Sequence, residues 1–352
     1  MRAERDRRYV RSGRHWYAIG TVLVVVVVVL GASIGSAGPE SWRVLLALLD
    51  HLPFISIDSG VSDVEWNIIW RIRMPRVVLA LLVGGMLSTA GASYQGVFRN
   101  PLVDPYLLGA AAGAGLGATF VFTIGRDLTA GWSIDPAPTV AFATALVTVG
   151  VTYLVGGAFG VGGRSGTTLV LAGVAVTSFV TALQTFLLQR NTDVVREVYS
   201  WILGRLSTAD WADVRLVLPY IVVSVSILMA FRRYLDVFRV GDDEASALGM
   251  SVGRVRFIIV CAATLGTAAA VGVSGLIGFV GLVIPHVVRL VAGASYRLLI
   301  PLSFMFGGAF LVLADIPGRA LQGGAETPIG VVTAFLGAPF FIYLLRTRRI
   351  GP

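Results

Sequence analysis

Apolar residues come in runs of bilayer-spanning length, about 20 residues each, separated by short segments that hold most of the charge. Ten such runs are legible, at 16–36, 77–97, 106–124, 138–156, 167–189, 214–231, 255–273, 276–293, 298–315 and 328–345. Each predicts a membrane-spanning helix, since a helix satisfies its own backbone N–H and C=O groups inside lipid. The expected fold is all-α and polytopic. Residues 1–15 form an Arg-rich tail, and 16–352 form a single transmembrane domain.

Composition agrees. The chain is 56% hydrophobic and only 14% charged, with a mean hydropathy of +0.81; a water-soluble domain would be about a quarter charged. No room is left for a large soluble domain. All 28 basic residues are Arg, so a Walker A phosphate loop, which needs a Lys, is excluded and any use of ATP must come from a partner chain. The net charge of +8 is spread between spans rather than gathered on one domain, which argues against nucleic acid. Cys261 is the only cysteine; it is expected to be a packed, inert thiol. Six Arg precede Ala18–Leu30, and Ser36-Ala37 resembles a signal-peptidase site, but an uncleaved first span fits the rest of the pattern better.

Arg placement predicts orientation. Arg2 to Arg14, then Arg232, Arg233, Arg239, Arg254 and Arg256, then Arg346, Arg348 and Arg349 mark three cytoplasmic regions. Six spans and then four separate them, so both termini are expected inside. Arg71, Arg73 and Arg76 break the rule by falling outside. They read either as snorkelling side chains or as a docking site for an acidic partner.

Glycines mark close approaches. Gly109, Gly113 and Gly117 recur every fourth residue and let a neighbouring helix come near one face. Gly272, Gly275, Gly278 and Gly281 recur every third, which predicts a broken helix between two spans, tolerated where protein or a cavity covers the backbone.

The most telling interruption is Val240–Gly253. Asp242, Asp243 and Glu244 suit the start of a short helix, where acids complement the dipole. Ala245, Leu248 and Gly249 offer a small apolar surface, and a second short segment is expected to follow. The whole reads as a knob that fits another protein. Other motifs are weak. Gly31-Ala32-Ser33-Ile34-Gly35 satisfies G-x-S-x-G without His or Asp partners nearby, and is attributed to chance. His15, His51 and His286 are far apart and give no metal-ligand spacing. His286, after Pro285, is expected to mark a helix distortion with a local hydrogen bond. No metal or cofactor is expected.

The run GDDEASALG resembles the cytoplasmic coupling segment of the FecCD/BtuC-type permeases, the membrane subunits of type II ABC importers. Arg71–Gly109, Gly275–Leu290 and Leu313–Leu345 are similar to other parts of that family in matching order. The resemblance implies a BtuC-like fold of ten helices and a homodimer, or a pair with a closely related permease, around a central pathway. It also implies ATP-binding cassette ATPase subunits below and an extracytoplasmic substrate-binding protein above, in a cell membrane. The implied cargo is an iron chelate, first a ferric siderophore, with haem or cobalamin as alternatives. The chain itself would be a transport subunit and not an enzyme.

Site residues follow from the same resemblance. Gly241, Asp242, Asp243, Glu244, Ala245, Leu248 and Gly249 would couple to the ATPase. Arg73, Arg76 and Arg319 would receive the binding protein, with Arg71 as an addition. Asn100 and Leu102 in the RNPLVDP loop, with Ser165 and Thr167, would form an inner gate. Thr181 and Gln184, with Thr177, Ser178 and Thr185, would line the pathway. The competing class is a secondary transporter, which usually places acids near the midplane; here Asp and Glu avoid the span centres, and Asp315 is near an end. A membrane-embedded enzyme would want a set such as H-E-x-x-H, which the sequence lacks.

Overall fold

A computed structural model describes residues 2–35, 41–50, 60–125, 135–157, 166–320 and 326–347. In chain order the helices are α1 Arg2–Ser33, α2 Ser41–Asp50, α3 Asp63–Asn67, α4 Met74–Val97, α5 Ala110–Phe120, α6 Pro136–Val155, α7 Gly166–Arg190, α8 Val195–Ile202, α9 Trp211–Phe238, α10 Asp242–Ala247, α11 Val252–Ser274, α12 Val280–Ala292, α13 Tyr296–Ala320 and α14 Ile329–Thr347. Among the described residues, seven helices are long and apolar enough to cross a membrane. Three shorter apolar ones, over 110–125, 280–292 and 329–343, occupy the remaining expected spans. Helices α2, α3 and α8 fill connections that the hydrophobic pattern leaves unassigned.

The centre of the bundle is α4, packed on α9, α11, α12 and α13. Its sequence explains the position. Gly84, Gly85, Ser88, Thr89, Ala90, Gly91, Ala92, Ser93 and Gly96 are small and buried, so neighbours can close in from every side. A Cβ on Gly84 would collide with the Gly307 carbonyl of α13, and one on Gly91 with that of Gly281 in α12. The hydroxyls of Thr89 and Ser93 donate to the carbonyls four residues earlier, at 2.8 Å each. Gln95 Nε2 donates to the Gly281 carbonyl at 3.0 Å. The Thr89 and Ser93 hydroxyls are therefore satisfied within α4 itself.

Both glycine expectations are met. Gly113 and Gly117 lie against Thr144, Thr148 and Val140 of α6, while Gly109 caps α5 in a left-handed conformation, with φ of 89°. The chain breaks between α11 and α12: Gly275 has φ of 70° and Phe279 has φ of 67°. Protein covers the break. Arg205 N donates to Ser274 O at 2.9 Å and Leu276 N to Ile202 O at 3.2 Å. The Tyr106 hydroxyl donates to Ile277 O and accepts from Ile277 N.

Three expectations need correction. The helix of the second span starts earlier than position 77: α3 runs through a π-helical stretch, Ile68–Arg73, into α4, because the capping box of Ser62 with Glu65 starts the helix upstream. No separate second segment follows α10, since the chain passes within a few residues into α11. Cys261 is exposed rather than packed; it lies one turn from exposed Phe257 on the outward stripe of α11.

Candidate functional site

One end of the bundle holds a buried charge cluster. Arg76 sends Nε and Nη2 to the two oxygens of Asp315, both at 2.8 Å, and Nη1 to Glu326 at 2.8 Å. Arg319, one helical turn beyond Asp315, shares that carboxylate at 3.1 Å. Arg73 turns to the end of α1, where Nη1 donates to the carbonyls of Ala32 and Ser33 at 2.8 and 2.6 Å. Those carbonyls carry the negative end of the helix dipole, which favours a cation. Arg71 points the other way and is exposed.

Three arginines expected on a docking surface are thus divided. Arg73 and Arg76 are buried and satisfied within the chain, while Arg319 is buried with only the ion pair to Asp315. Its Nε and Nη2 have no hydrogen-bond partner among the described residues. Sequence reading misses the internal partners, Asp315 and Glu326. Both are remote from Arg76 in the chain, and only the packing of α4 on α13 joins them.

At the opposite end, α10 stands out as the short helix the acids suggest. Asp242, Asp243 and Glu244 fill its first turn, and Gly241 precedes it at φ of 123°. Ala245 is fully buried and anchors the helix, so the apolar contact face is Leu248, 73% exposed, with Gly249. Gly249 closes the helix at φ of 83°. Its N–H bonds Ser246 O and the next N–H, of Met250, bonds Ala245 O, the Schellman pattern that favours glycine at this place. Asp242 does not face outward: it pairs with Arg256 at 2.8 Å and Arg99 at 3.5 Å.

The loop in which a gate is expected runs from Phe98 to Gly109. Asn100 and Leu102 are exposed, and Asn100 Oδ1 accepts from Leu102 N at 2.9 Å, fixing the turn around Pro101. Burial pushes the Asp104 carboxyl up to about 6 despite the opposing bond from Tyr106 N. Pro105 lies against Gly281 of α12, so loop and broken span are in contact. Thr167 falls in the first turn of α7, and Ser165 lies outside the described residues. The expected polar wall of α7 splits in two. Ser178, Thr181 and Thr185 are on its exposed side, Ser178 and Thr185 donating to carbonyls four residues back. Thr177 and Gln184 turn inward, and Gln184 bonds Thr119 of α5 at 3.2 Å. Among the described residues no group of three His, Cys, Asp or Glu could hold a metal.

Comparison with known proteins gives a consistent pattern. The profile of the FecCD transport family matches residues 23–347. The cobalamin import system permease protein BtuC of Halobacterium salinarum is 37% identical, over 95% of this chain and 96% of that protein. The iron(3+)-hydroxamate import system permease protein FhuB of Bacillus subtilis is 33% identical, over 87% and 83%. A solved structure, described as an inward-facing metal-chelate type ABC transporter, superposes with a TM-score of 0.80 at 28% identity, over 95% of this chain and 99% of that one.

Proposed function

The chain belongs to the FecCD transport family, and from that premise we propose that it is the membrane permease of a type II ABC importer that brings a bulky metal chelate into the cytoplasm. The observation that carries this reading is α10, a six-residue helix closed by Gly249, whose tip, Leu248, stands 73% exposed. Such a knob suits a groove on an ATPase subunit, and the lysine-free chain has no Walker A loop of its own. Both termini lie in the cytoplasm, as the Arg distribution requires. A second copy packs through the exposed face of α7, whose Leu171, Val174, Phe179 and Phe186 would otherwise meet only lipid.

A ferric siderophore is the first cargo reading, supported by the iron-hydroxamate relative. Cobalamin is the second, favoured by the higher identity, 37%, to a permease named for it. Uptake of labelled ferric siderophore, haem and cobalamin by the reconstituted complex decides between them. If none accumulates while ATP is hydrolysed, the importer reading is wrong.

Leu248→Arg is expected to lower transport at least tenfold by placing a charge in the ATPase contact, while the isolated permease stays folded. Unimpaired transport with normal ATP use would remove the coupling role. On the outer side, a binding protein's acids would meet Arg71 and the spare donor of Arg319, with Arg73 and Arg76 behind them. The double variant Arg71→Glu, Arg319→Gln should weaken binding-protein association about tenfold at low salt and less at high salt, because such pairs chiefly set encounter rate. Equal affinities at low salt would dismiss this surface. For the gate, Asn100→Cys in a Cys261→Ser background should crosslink across the dimer in one nucleotide state only. Crosslinking that ignores nucleotide would mean that Asn100 is ordinary loop.

A further inference from the structure

Arg99 occupies a backbone position that an arginine should not hold. It follows α4 with φ of 51°. Its N–H bonds Gly96 O at 3.3 Å, and the next N–H, of Asn100, bonds Gln95 O at 3.1 Å. This is the same Schellman closure that ends α10, where the left-handed residue is Gly249. At α4 the place that glycine favours is filled by a long, charged side chain, which is conformationally unfavourable. The side chain reaches Asp242, the first residue of α10, with Nη2 to Oδ1 at 3.5 Å.

Asp242 is held from its other side. Its Oδ2 accepts from Arg256 at 2.8 Å, and the Arg256 guanidinium lies 5.6 Å from the centroid of the Phe238 ring. Phe238 is fully buried at the end of α9. The carboxylate therefore ties together the short helix, the base of α11 and the residue that immediately precedes Asn100. Oδ1 has no hydrogen-bond partner among the described residues, so the pair to Arg99 is loose and has room to tighten. Exposed pairs of this kind add little to stability, so stability does not account for an arginine in a left-handed turn.

We propose that Asp242 and Arg99 form a strut that carries displacement of the exposed helix α10 into the Asn100–Leu102 gate loop. Arg256 serves as its fixed anchor. The inference rests on the importer reading and adds a transmission contact to it. Both residues are positioning residues, since neither touches cargo or nucleotide.

The test uses the complete complex of permease, ATPase and binding protein in liposomes, with cargo moved per ATP hydrolysed as the readout. Arg99→Gln and Asp242→Asn should each lower that ratio about fivefold or more. Their combination should be no worse than either alone, as expected of two ends of one contact. Arg99→Lys should keep most of the coupling. Arg99→Gly should lose it while melting no lower than the wild type, because glycine suits the left-handed turn; a merely structural role would lower both. An unchanged ratio in Arg99→Gln, or a double-variant loss equal to the product of the two single losses, overturns the strut alone. A wild-type complex that moves no chelate overturns the importer reading and the strut with it.

Discussion

Gly91→Val is expected to prevent the folded protein from accumulating in membranes. A Cβ at position 91 would lie 2.7 Å from the Gly281 Cα and closer still to that residue's carbonyl. Two backbones are in contact there, so no side-chain rotation relieves the overlap. The same carbonyl accepts the Gln95 Nε2 bond at 3.0 Å, and Gly281 itself lies against Pro105 of the Phe98–Gly109 loop. Overpacking in a core typically costs about 1–3 kcal/mol, and a clash between backbones at the centre of the bundle should exceed that range. The control is Gly150→Val on α6, where a Cβ would meet nothing within 4 Å. Yield and monodisperse elution in detergent provide the measurement. Wild-type yield for Gly91→Val would show that α4 and α12 do not pack this closely.

Asp315→Ala should be the other severe change. It leaves Arg76 and Arg319 facing each other, with side chains only 9% and 7% exposed and their shared carboxylate gone. Removing one partner of a buried ion pair costs about 3–5 kcal/mol, because the stranded charge remains desolvated. Glu326→Ala supplies the contrast. Glu326 is 46% exposed, so its bond to Arg76 resembles a surface pair worth less than about 1 kcal/mol. A thermal melt of the purified variants should therefore show a large loss for Asp315→Ala and a small one for Glu326→Ala. Similar losses would mean that water reaches the cluster and that Asp315 is not its keystone.

The arginines illustrate how far a sequence carries the argument. Arg71, Arg73 and Arg76 stand out at once as charges on the wrong side of a span. Their spacing does not tell which are exposed. That depends on the helix turning Arg73 toward the end of α1 and Arg76 toward α13, and on an aspartate 239 positions away in the chain. The same limit applies to α10. Its acids, glycines and leucine are legible as a short helix with a contact tip. Ala245 reads as surface, although it is buried, because a six-residue helix has no repeated periodicity from which to choose a face. Asp242 groups in the sequence with the outward acids, although it turns to Arg256 and Arg99.

By itself the sequence determined the class, the spans and the broken helix. These depend on local physics: a run of apolar residues long enough for lipid, and glycines at a spacing that no continuous helix face would use. Only the tertiary structure decided which polar groups are spent inside the chain and which remain available to a partner. Those assignments depend on pairs of residues far apart in sequence and brought together by helix packing, and hydrophobic periodicity, which records burial and not partnership, carries no information about them.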